Sequence, residues 1–279
     1  MLEKLGLGTV QFGQAYGISN RHGQVTPEEA ARILSLAAES GIRLLDTAAN
    51  YGEAETVLGK HYTRPFRIVT KTIGVKNGVE AVVTRARQSA AALKADTLLV
   101  HAASDLASPD GDALWRALLG LRDAGTFRKI GISVYVADDP ASLAHRYRPD
   151  AMQLPFSLLD QRLLANGTLP ALSDFGVEIH ARSLFLQGLL FLDQLPEKLK
   201  SAEPHLAWVK ERLHEAHVSP LAASLGFVLA RPEIDFGLVG VTSASELREI
   251  VAASQISLPS LDWASFALTD ERVLTPSLW

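Results

Sequence analysis

Short apolar segments rich in valine, isoleucine and leucine alternate along this chain with longer segments of helical periodicity. Such short runs are typical of buried strands, and helical segments between them are typical of βα units around a parallel sheet. The alternation repeats roughly eight times, the number of units that closes into a barrel. The predicted strands are Leu5–Gly8, Arg43–Asp46, Arg67–Lys71, Thr97–His101, Lys129–Ser133, Ala151–Leu154, Val177–Arg182 and Phe236–Val239. We therefore predict an α/β protein with a single (β/α)8 barrel, and a doubly wound sheet is the structural alternative.

The segments between the predicted strands carry helix boundary signals. Thr26 and Pro27 form an N-cap and a first-turn proline, two glutamates follow them, and Gly41 ends the helical pattern. The predicted helices include Pro27–Ser40, Val79–Leu93, Asp112–Ala124 and Ser219–Ala230. No linker rich in serine, glycine or proline and no shift in composition divides the chain, so we predict one domain over residues 1–279.

The C-terminal part of the chain contains three tryptophans, Trp208, Trp263 and Trp279. We predict that C-terminal loops and the tail fold over the mouth of the barrel. The tryptophans then either contact a substrate there or pack against the core or the surface, and the sequence leaves both roles open.

Charge and composition exclude several classes of partner and chemistry. The chain has 27 basic and 31 acidic residues, a formal net charge of −4 and no basic run, so it lacks the electrostatic footprint of a nucleic-acid-binding protein. It has no cysteine, which excludes disulfides, thiolate metal sites and a cysteine nucleophile. Residues 1–8 carry no apolar stretch suited to a signal peptide, and the most apolar segment is too short for a membrane span. We therefore predict a soluble, cytoplasmic protein with no nucleic-acid or membrane partner.

Three consecutive predicted strands end in ionisable residues: Asp46, Lys71 and His101. Taken singly, each of these residues can have a purely structural role: an aspartate can cap a turn, a lysine can extend to solvent and a buried histidine can be hydrogen-bonded. Active barrels, however, collect polar residues at the carboxyl ends of several strands. Tyr51 lies in the loop just after Asp46. We predict that these four residues share one site.

The four residues form a set suited to polarising a carbonyl group. A tyrosine hydroxyl is a poor acid or base near neutral pH unless a neighbouring charge stabilises its phenolate, and Lys71 would supply that charge. Asp46 would hold the Lys71 ammonium, while a neutral His101 would donate a hydrogen bond to a substrate oxygen. This is an arrangement for general acid catalysis on a C=O group, and it requires a source of hydride.

Seven segments that span nearly the whole chain carry a family resemblance. They are LGLGTVQFG at 5–13, LLDTAANYGEAETVLG at 44–59, VTK at 69–71, LLVHAASD at 98–105, GIS at 131–133, QLPFSLLDQR at 153–162 and QGLL at 187–190. With these segments the chain resembles the aldo-keto reductases. The resemblance implies that Asp46, Tyr51, Lys71 and His101 are the catalytic tetrad. Tyr51 would then be the general acid in reduction and the general base in oxidation, and the substrate a small carbonyl compound or alcohol.

The resemblance also implies a nicotinamide cofactor across the carboxyl end of the barrel, and no metal. It favours NADP(H), with NAD(H) as the alternative. Ser133 and Gln153 lie where the family holds the carboxamide, and Ser183 and Gln187 lie in the segment that usually covers the pyrophosphate. Ordinary roles remain open, since Ser133 can end its strand and Gln153 can satisfy backbone groups at the rim.

The chain departs from the family pattern at the nicotinamide end. Val134 stands where many relatives have an asparagine, and Arg182 stands where an aromatic residue often stacks on the nicotinamide. The planar guanidinium of Arg182 would either stack in its place or bind an anionic substrate.

A third departure concerns the adenosine end, where NADPH-preferring relatives bind the 2′-phosphate with lysine or arginine. Thr242 and two serines lie at the start of the helix after the eighth strand, and a helix start favours a phosphate. Glu246 lies close to the usual arginine position, where its carboxylate would oppose the phosphate or accept a hydrogen bond from a free ribose 2′-hydroxyl.

Two other functions compete with a reductase. One is a regulatory or sensor barrel of the same superfamily with little turnover, and the changes at Val134 and Arg182 leave room for it. The other is an unrelated barrel enzyme, which would need a carboxylate cluster for a metal or a glycine-rich phosphate loop, and the sequence shows neither. Arg182, His101 and the polar loop 14–22 favour a polar or sugar-like carbonyl substrate over a steroid.

Overall fold

The computed structural model describes residues 1–18, 20, 22–61 and 66–279 of the chain. Of the first loop, Gln14–His22, which the sequence relates to substrate choice, Ser19 and Arg21 lie outside the described residues. The other residues that the sequence proposes for the site are all described.

Eight parallel strands close into one barrel in chain order, and the last strand pairs with the first. The strands are β1 Leu5–Gly8, β2 Leu44–Asp46, β3 Arg67–Lys71, β4 Thr97–Val100, β5 Lys129–Ser133, β6 Ala151–Pro155, β7 Glu178–Arg182 and β8 Phe236–Gly240. Both ends of each strand lie within one residue of the predicted ends. The predicted (β/α)8 barrel is therefore confirmed, and the doubly wound alternative was wrong.

Helices alternate with the strands. They are α1 Val10–Gly13, α2 Pro27–Glu39, α3 Ala54–His61, α4 Val79–Leu93, α5 Gly111–Asp123, α6 Pro140–Tyr147, α7 Arg162–Ala165, α8 Thr168–Asp174, α9 Glu203–Glu215, α10 Pro220–Leu229, α11 Ala244–Ala253 and α12 Glu271–Leu274. Short 3-10 segments lie at Leu2–Lys4, Val75–Asn77, Ala103–Asp105, Val136–Asp138, Leu186–Phe191, Glu197–Ala202, Trp263–Phe266 and Pro276–Leu278. Thr26 caps α2 as predicted, because its side chain accepts a hydrogen bond from the Glu29 amide.

Alternation along each strand separates the apolar interior of the barrel from its polar mouth. Leu44, Val69 and Leu99, with Ala151 and Leu238, form a small apolar cluster separate from the main core between strands and helices. Side chains of a strand point to the same face every second residue, so residues two positions further along point inward nearer the carboxyl end. For Leu44, Val69, Leu99 and Ala151 they are Asp46, Lys71, His101 and Gln153, and Ser133 and Arg182 are the last residues of β5 and β7. Strand periodicity thus places the predicted site directly above an apolar layer.

A charged network closes the opposite end of the barrel. Glu178, at the start of β7, accepts hydrogen bonds from Arg67 (2.9 Å), from Lys129 (2.6 Å) and at the ring of His180 (2.9 Å). Burial raises the pKa of Glu178, but its bonds with His180, Arg67 and Lys129 outweigh burial and hold the pKa well below its usual range. The network therefore keeps a charged carboxylate at the barrel floor, away from the mouth.

The C-terminal tail packs at the mouth end of the barrel, against the loop that follows β6. The Leu268 amide donates to the Leu159 carbonyl (2.8 Å), and the Gln161 side chain donates to the Trp263 carbonyl (2.7 Å). Trp263 packs against Phe266, with ring centroids 5.3 Å apart. Within the described part of the chain, the helices are too short or too polar to cross a membrane.

Candidate active site

A cavity of about 390 Å³ opens at the carboxyl end of the barrel. The polar side chains that line it come from the strand ends and from the loops that follow them: Thr9, Gln11, Gln14, Tyr16, Asp46, Tyr51, His101, Ser133, Tyr135, Gln153, Arg182, Ser183 and Gln187. Three of the four residues of the predicted tetrad are in this lining, and Lys71 lies directly beneath them. The cavity is therefore the candidate active site.

Lys71 is buried between an acid and a phenol. Its Nζ donates to both carboxylate oxygens of Asp46 (2.8 and 2.7 Å) and to the Thr47 carbonyl (3.0 Å), and it lies 3.4 Å from the hydroxyl oxygen of Tyr51. The Lys71 side chain is 1 % exposed, so this ammonium has no solvent to stabilise it. Burial lowers the pKa of Lys71, but Asp46 and Tyr51 outweigh burial and raise the pKa overall. The lysine is therefore charged and directed at the tyrosine hydroxyl.

Two glycines explain how the loop bearing Tyr51 is held. A Cβ on Gly13 would lie 1.7 Å from the Tyr51 carbonyl oxygen, and a Cβ on Gly52 would lie 2.2 Å from the Gly13 carbonyl oxygen. Gly52 also has a φ of 52°, which side chains disfavour. The Tyr-Gly pair of the sequence therefore reflects close packing between the loops after β1 and β2, which fixes the position of Tyr51.

His101 lies beside Tyr51, with the two rings edge to face and their centroids 5.6 Å apart. The predicted strand included His101, but β4 ends one residue earlier, because the His101 amide donates to the Thr72 side-chain oxygen (3.2 Å) instead of to the strand ladder. Burial, together with the nearby charge of Lys71, lowers the pKa of His101 to about 4. The imidazole is therefore neutral at physiological pH, as the sequence predicts.

We expect nuclear magnetic resonance to detect this neutral state. In a histidine-labelled sample, the His101 ring signals should titrate with a pKa of about 4, below the ordinary value of 6.5. A His101→Asn variant assigns the signals. The account of this residue is contradicted if its midpoint lies at or above the ordinary value, because the imidazole would then carry charge near neutral pH.

The two residues proposed for the carboxamide lie on neighbouring strands. Ser133 and Gln153 face each other in the β5–β6 register, and both are buried. Gln153 Nε2 donates to the Asp46 carboxylate (2.7 Å), a contact that the sequence analysis did not anticipate. Gln153 therefore helps to orient Asp46, while its amide oxygen remains an acceptor for a ligand.

The loop after β7 contains Arg182, Ser183 and Gln187, and its backbone is strained. Ser183 (φ 61°), Leu186 (44°) and Gln187 (55°) all have positive φ, although none is glycine. Such conformations cost energy in residues other than glycine, and they cluster at functional sites. Gln187 also accepts a hydrogen bond from the Ile18 amide (3.3 Å) across the cavity rim. These features are consistent with a loop shaped to contact a ligand.

Two carboxylates occupy the region at the start of α11. Glu246 accepts hydrogen bonds from the Thr242 amide (2.6 Å) and hydroxyl (2.9 Å). Glu29 reaches from α2 and accepts from the Ala244 amide (2.6 Å). The bond from Ala244 and a bond from Arg32 lower the pKa of Glu29, so its carboxylate is charged at neutral pH. The structure thus brings Thr242 and Glu246 together and adds Glu29, which the sequence analysis did not single out for this site.

The sequence analysis did not single out Gln11, Tyr16 and Tyr135 of the cavity lining, although Tyr16 belongs to the loop 14–22 that it related to the substrate. Gln11 and Tyr135 follow the ends of β1 and β5, so the rule used for Asp46 and Lys71 was available for them. Tyr16 lies in an irregular loop, where no local pattern marks it. Gln11 Oε1 is buried without a hydrogen-bond partner in the described residues, and it lies beside Gly240, where a Cβ would come within 2.7 Å.

These observations fit a flat, polar cofactor. Buried polar atoms without partners are rare in native proteins, and a ligand amide can satisfy the orphaned oxygen of Gln11. Gly240 leaves room for the Gln11 side chain, because a Cβ there would lie 2.7 Å from its amide. In the described ranges, no set of three or more His, Asp and Glu side chains is placed to hold a metal ion.

Comparison with known proteins agrees with the fold. An aldo-keto reductase of Bacillus halodurans, in its holo form, matches with a TM-score of 0.72 and 20 % identity, over 94 % of this chain and 90 % of that chain. Aldose reductase of Giardia lamblia matches with a TM-score of 0.70 and 17 % identity, over 95 % and 92 %. A comparison with curated protein sequences finds no match. The sequence model of the aldo/keto reductase family, in contrast, matches residues 4–270. Because that match spans nearly the whole chain, the protein belongs to the aldo/keto reductase family.

Proposed function

We propose that this protein reduces a small aldehyde or ketone to the alcohol, or oxidises the alcohol, with a nicotinamide cofactor and with Tyr51 as the general acid or base. The observation that carries the proposal is the position of the Lys71 ammonium. It is buried and bonded to the Asp46 carboxylate, and its remaining polar neighbour in the cavity lining is the Tyr51 hydroxyl. A purely structural ion pair would not need a phenol at the cavity surface.

Each residue of the tetrad has a distinct part in reduction. The nicotinamide, when bound, supplies the hydride that adds to the carbonyl carbon. Tyr51 donates its hydroxyl proton to the carbonyl oxygen, which becomes the alcohol, and Lys71 stabilises the tyrosinate that remains. The neutral His101 donates a hydrogen bond to the same oxygen. In oxidation the proton returns to Tyr51, which then acts as the base.

Asp46 is a positioning residue in this scheme. It keeps Lys71 charged, and Gln153 in turn orients the Asp46 carboxylate. Ser133, the amide oxygen of Gln153 and the orphaned Gln11 are the residues that we assign to the nicotinamide end of the cofactor. Ser183 and Gln187, in the strained loop after β7, are assigned to the pyrophosphate.

We further propose that the cofactor is NAD(H), although the family resemblance favours NADP(H). A helix start is an anion site because its free amides and dipole attract negative charge. At α11 the Ala244 amide is already bonded to Glu29, and Glu246 accepts from Thr242. A 2′-phosphate there would meet two carboxylates, one of them paired with Arg32 (2.6 Å), whereas a ribose 2′-hydroxyl can donate a hydrogen bond to either.

Titration of the purified protein with NADH and NADPH, followed by tryptophan and cofactor fluorescence, tests both proposals. We expect the dissociation constant of NADH to be lower than that of NADPH by a factor of about ten or more. Glu246→Arg should shift this ratio towards NADPH by a similar factor. Glu249→Arg, which makes the same charge change at an exposed position of α11, should leave the ratio nearly as it is.

The outcomes separate the two proposals. Tighter binding of NADPH by the wild type would reject the NAD(H) assignment and leave the reductase proposal intact. Failure of both cofactors to bind would remove the hydride source, and the reductase proposal would have to be abandoned.

A further inference from the structure

One positive charge in the cavity has no counterion. The charged side chains in the lining are Asp46 and Arg182, and Asp46 is paired with Lys71 beneath it. His101 is neutral at physiological pH. Among the described residues, no carboxylate oxygen lies within 4.0 Å of the Arg182 guanidinium. The cavity therefore carries a net charge that comes from Arg182 alone.

The contacts of Arg182 orient its guanidinium without neutralising it. Its Nη2 donates to the Val134 carbonyl (3.0 Å), its Nη1 lies 3.5 Å from the Ser183 hydroxyl, and the group stacks over the Tyr135 ring at 4.3 Å. A guanidinium has five N–H donors, so these contacts leave three of them. An arginine held by neutral partners in a partly buried position is a preformed site for an oxyanion.

The site lies close to the reacting groups. Arg182 is near enough to His101 for its charge to contribute to lowering the pKa of that imidazole. It is also near enough to Tyr16 for its charge to oppose the effect of burial, which raises the pKa of that hydroxyl. Both residues, with Tyr51, line the same cavity of about 390 Å³. A small molecule bound in this cavity can therefore place a carbonyl at Tyr51 and an anionic group at Arg182.

We propose that Arg182 is a specificity-determining residue and that the substrate is a small carbonyl compound carrying a carboxylate or a phosphate. This inference rests on the proposed reductase function. It narrows the substrate class, because a partly buried positive charge with free donors binds an oxyanion and gains nothing from an uncharged carbonyl compound of the same shape.

The test compares two aldehydes of the same shape that differ in charge, para-formylbenzoate and para-formylbenzamide. With NADH or NADPH, whichever binds, we expect the wild type to show a kcat/KM about tenfold or more higher for para-formylbenzoate, mainly through KM. Arg182→Gln should bring the ratio of the two kcat/KM values close to one, and Arg182→Lys should keep part of the preference for para-formylbenzoate. Arg87→Gln removes an arginine charge from an exposed position of α4, and its ratio should match the wild type.

A second pair separates the two kinds of anion. The second pair is glyceraldehyde phosphate and glyceraldehyde, and the ratio of their kcat/KM values is compared with the ratio for para-formylbenzoate and para-formylbenzamide. A larger ratio for the glyceraldehyde pair indicates a phosphate, and a larger ratio for the benzaldehyde pair indicates a carboxylate. Calorimetry with benzoate and benzamide measures the anion site without turnover. Benzoate should bind to the wild type with bound cofactor, and should bind more weakly to Arg182→Gln.

Two results would overturn the inference. One is an equal kcat/KM for both members of each pair in the wild type. The other is an Arg182→Gln variant that loses affinity for the cofactor while keeping its preference for para-formylbenzoate, because the guanidinium would then serve the cofactor. If no aldehyde is reduced, the proposed function fails instead, and benzoate binding still decides whether Arg182 forms an anion site.

Discussion

Replacing Tyr51 with phenylalanine should lower kcat for carbonyl reduction by about 10²- to 10⁴-fold, the range over which general acid catalysis contributes. The substitution removes one hydroxyl and leaves the ring, so its packing against His101 and over Lys71 persists. Cofactor affinity should stay within a factor of about two, because no cofactor contact is assigned to this hydroxyl. Steady-state kinetics and fluorescence titration on the same preparation measure the two quantities.

Tyr147→Phe is the matched control for this experiment. Tyr147 is buried, and its hydroxyl donates to the Leu106 carbonyl (3.1 Å) outside the cavity. The control should lose a little stability and keep its kcat. A Tyr51→Phe enzyme with the same kcat as the wild type would show that another group delivers the proton.

Replacing Lys71 with methionine should destabilise the protein by about 3–5 kcal/mol, the cost of leaving one member of a buried ion pair unpaired. Asp46 is 5 % exposed and loses the ammonium that donates to both of its oxygens. Activity should also fall, because nothing then stabilises the tyrosinate. Urea unfolding of both proteins, at constant cofactor concentration, measures the change in the free energy of unfolding.

A double variant distinguishes the loss of the pair from the loss of packing. In Asp46→Asn/Lys71→Met no charge is left unpaired, so its free energy of unfolding should exceed that of Lys71→Met alone. Activity should not recover with it. The contrary result is a double variant that is less stable than Lys71→Met and also less stable than Asp46→Asn. It would mean that the two side chains contribute independently to stability, which contradicts the buried pair.

The sequence predicted the fold well where one local pattern determines the structure. The strand bounds followed from apolar runs, and the start of α2 followed from Thr26 and Pro27. Strand alternation placed Asp46 and Lys71 at one rim, and their contact follows from the pairing of β2 with β3. These are short-range consequences of chain geometry, so a single sequence contains them.

The parts that the sequence did not predict depend on distant contacts. Glu29 lies 215 positions from Ala244, and its role at α11 arises because α2 packs beside α11. Gln153 contacts Asp46 across the barrel, 107 positions away in the chain. Tyr16 reaches the cavity from an irregular loop. No periodicity or motif encodes such pairs, and they appear only when the barrel closes.

Transfer of deuterium from the cofactor tests the central proposal most directly. Wild type and Tyr51→Phe are incubated with para-formylbenzoate and with NADH or NADPH that carries deuterium on the nicotinamide carbon that donates the hydride, and the alcohol is analysed by mass spectrometry. We predict that the wild type yields alcohol with one deuterium on the former carbonyl carbon, and that Tyr51→Phe yields the same product far more slowly. Cofactor that binds without any deuterated alcohol, with this aldehyde and with glyceraldehyde phosphate, would contradict the reductase proposal and favour a nucleotide-binding sensor barrel.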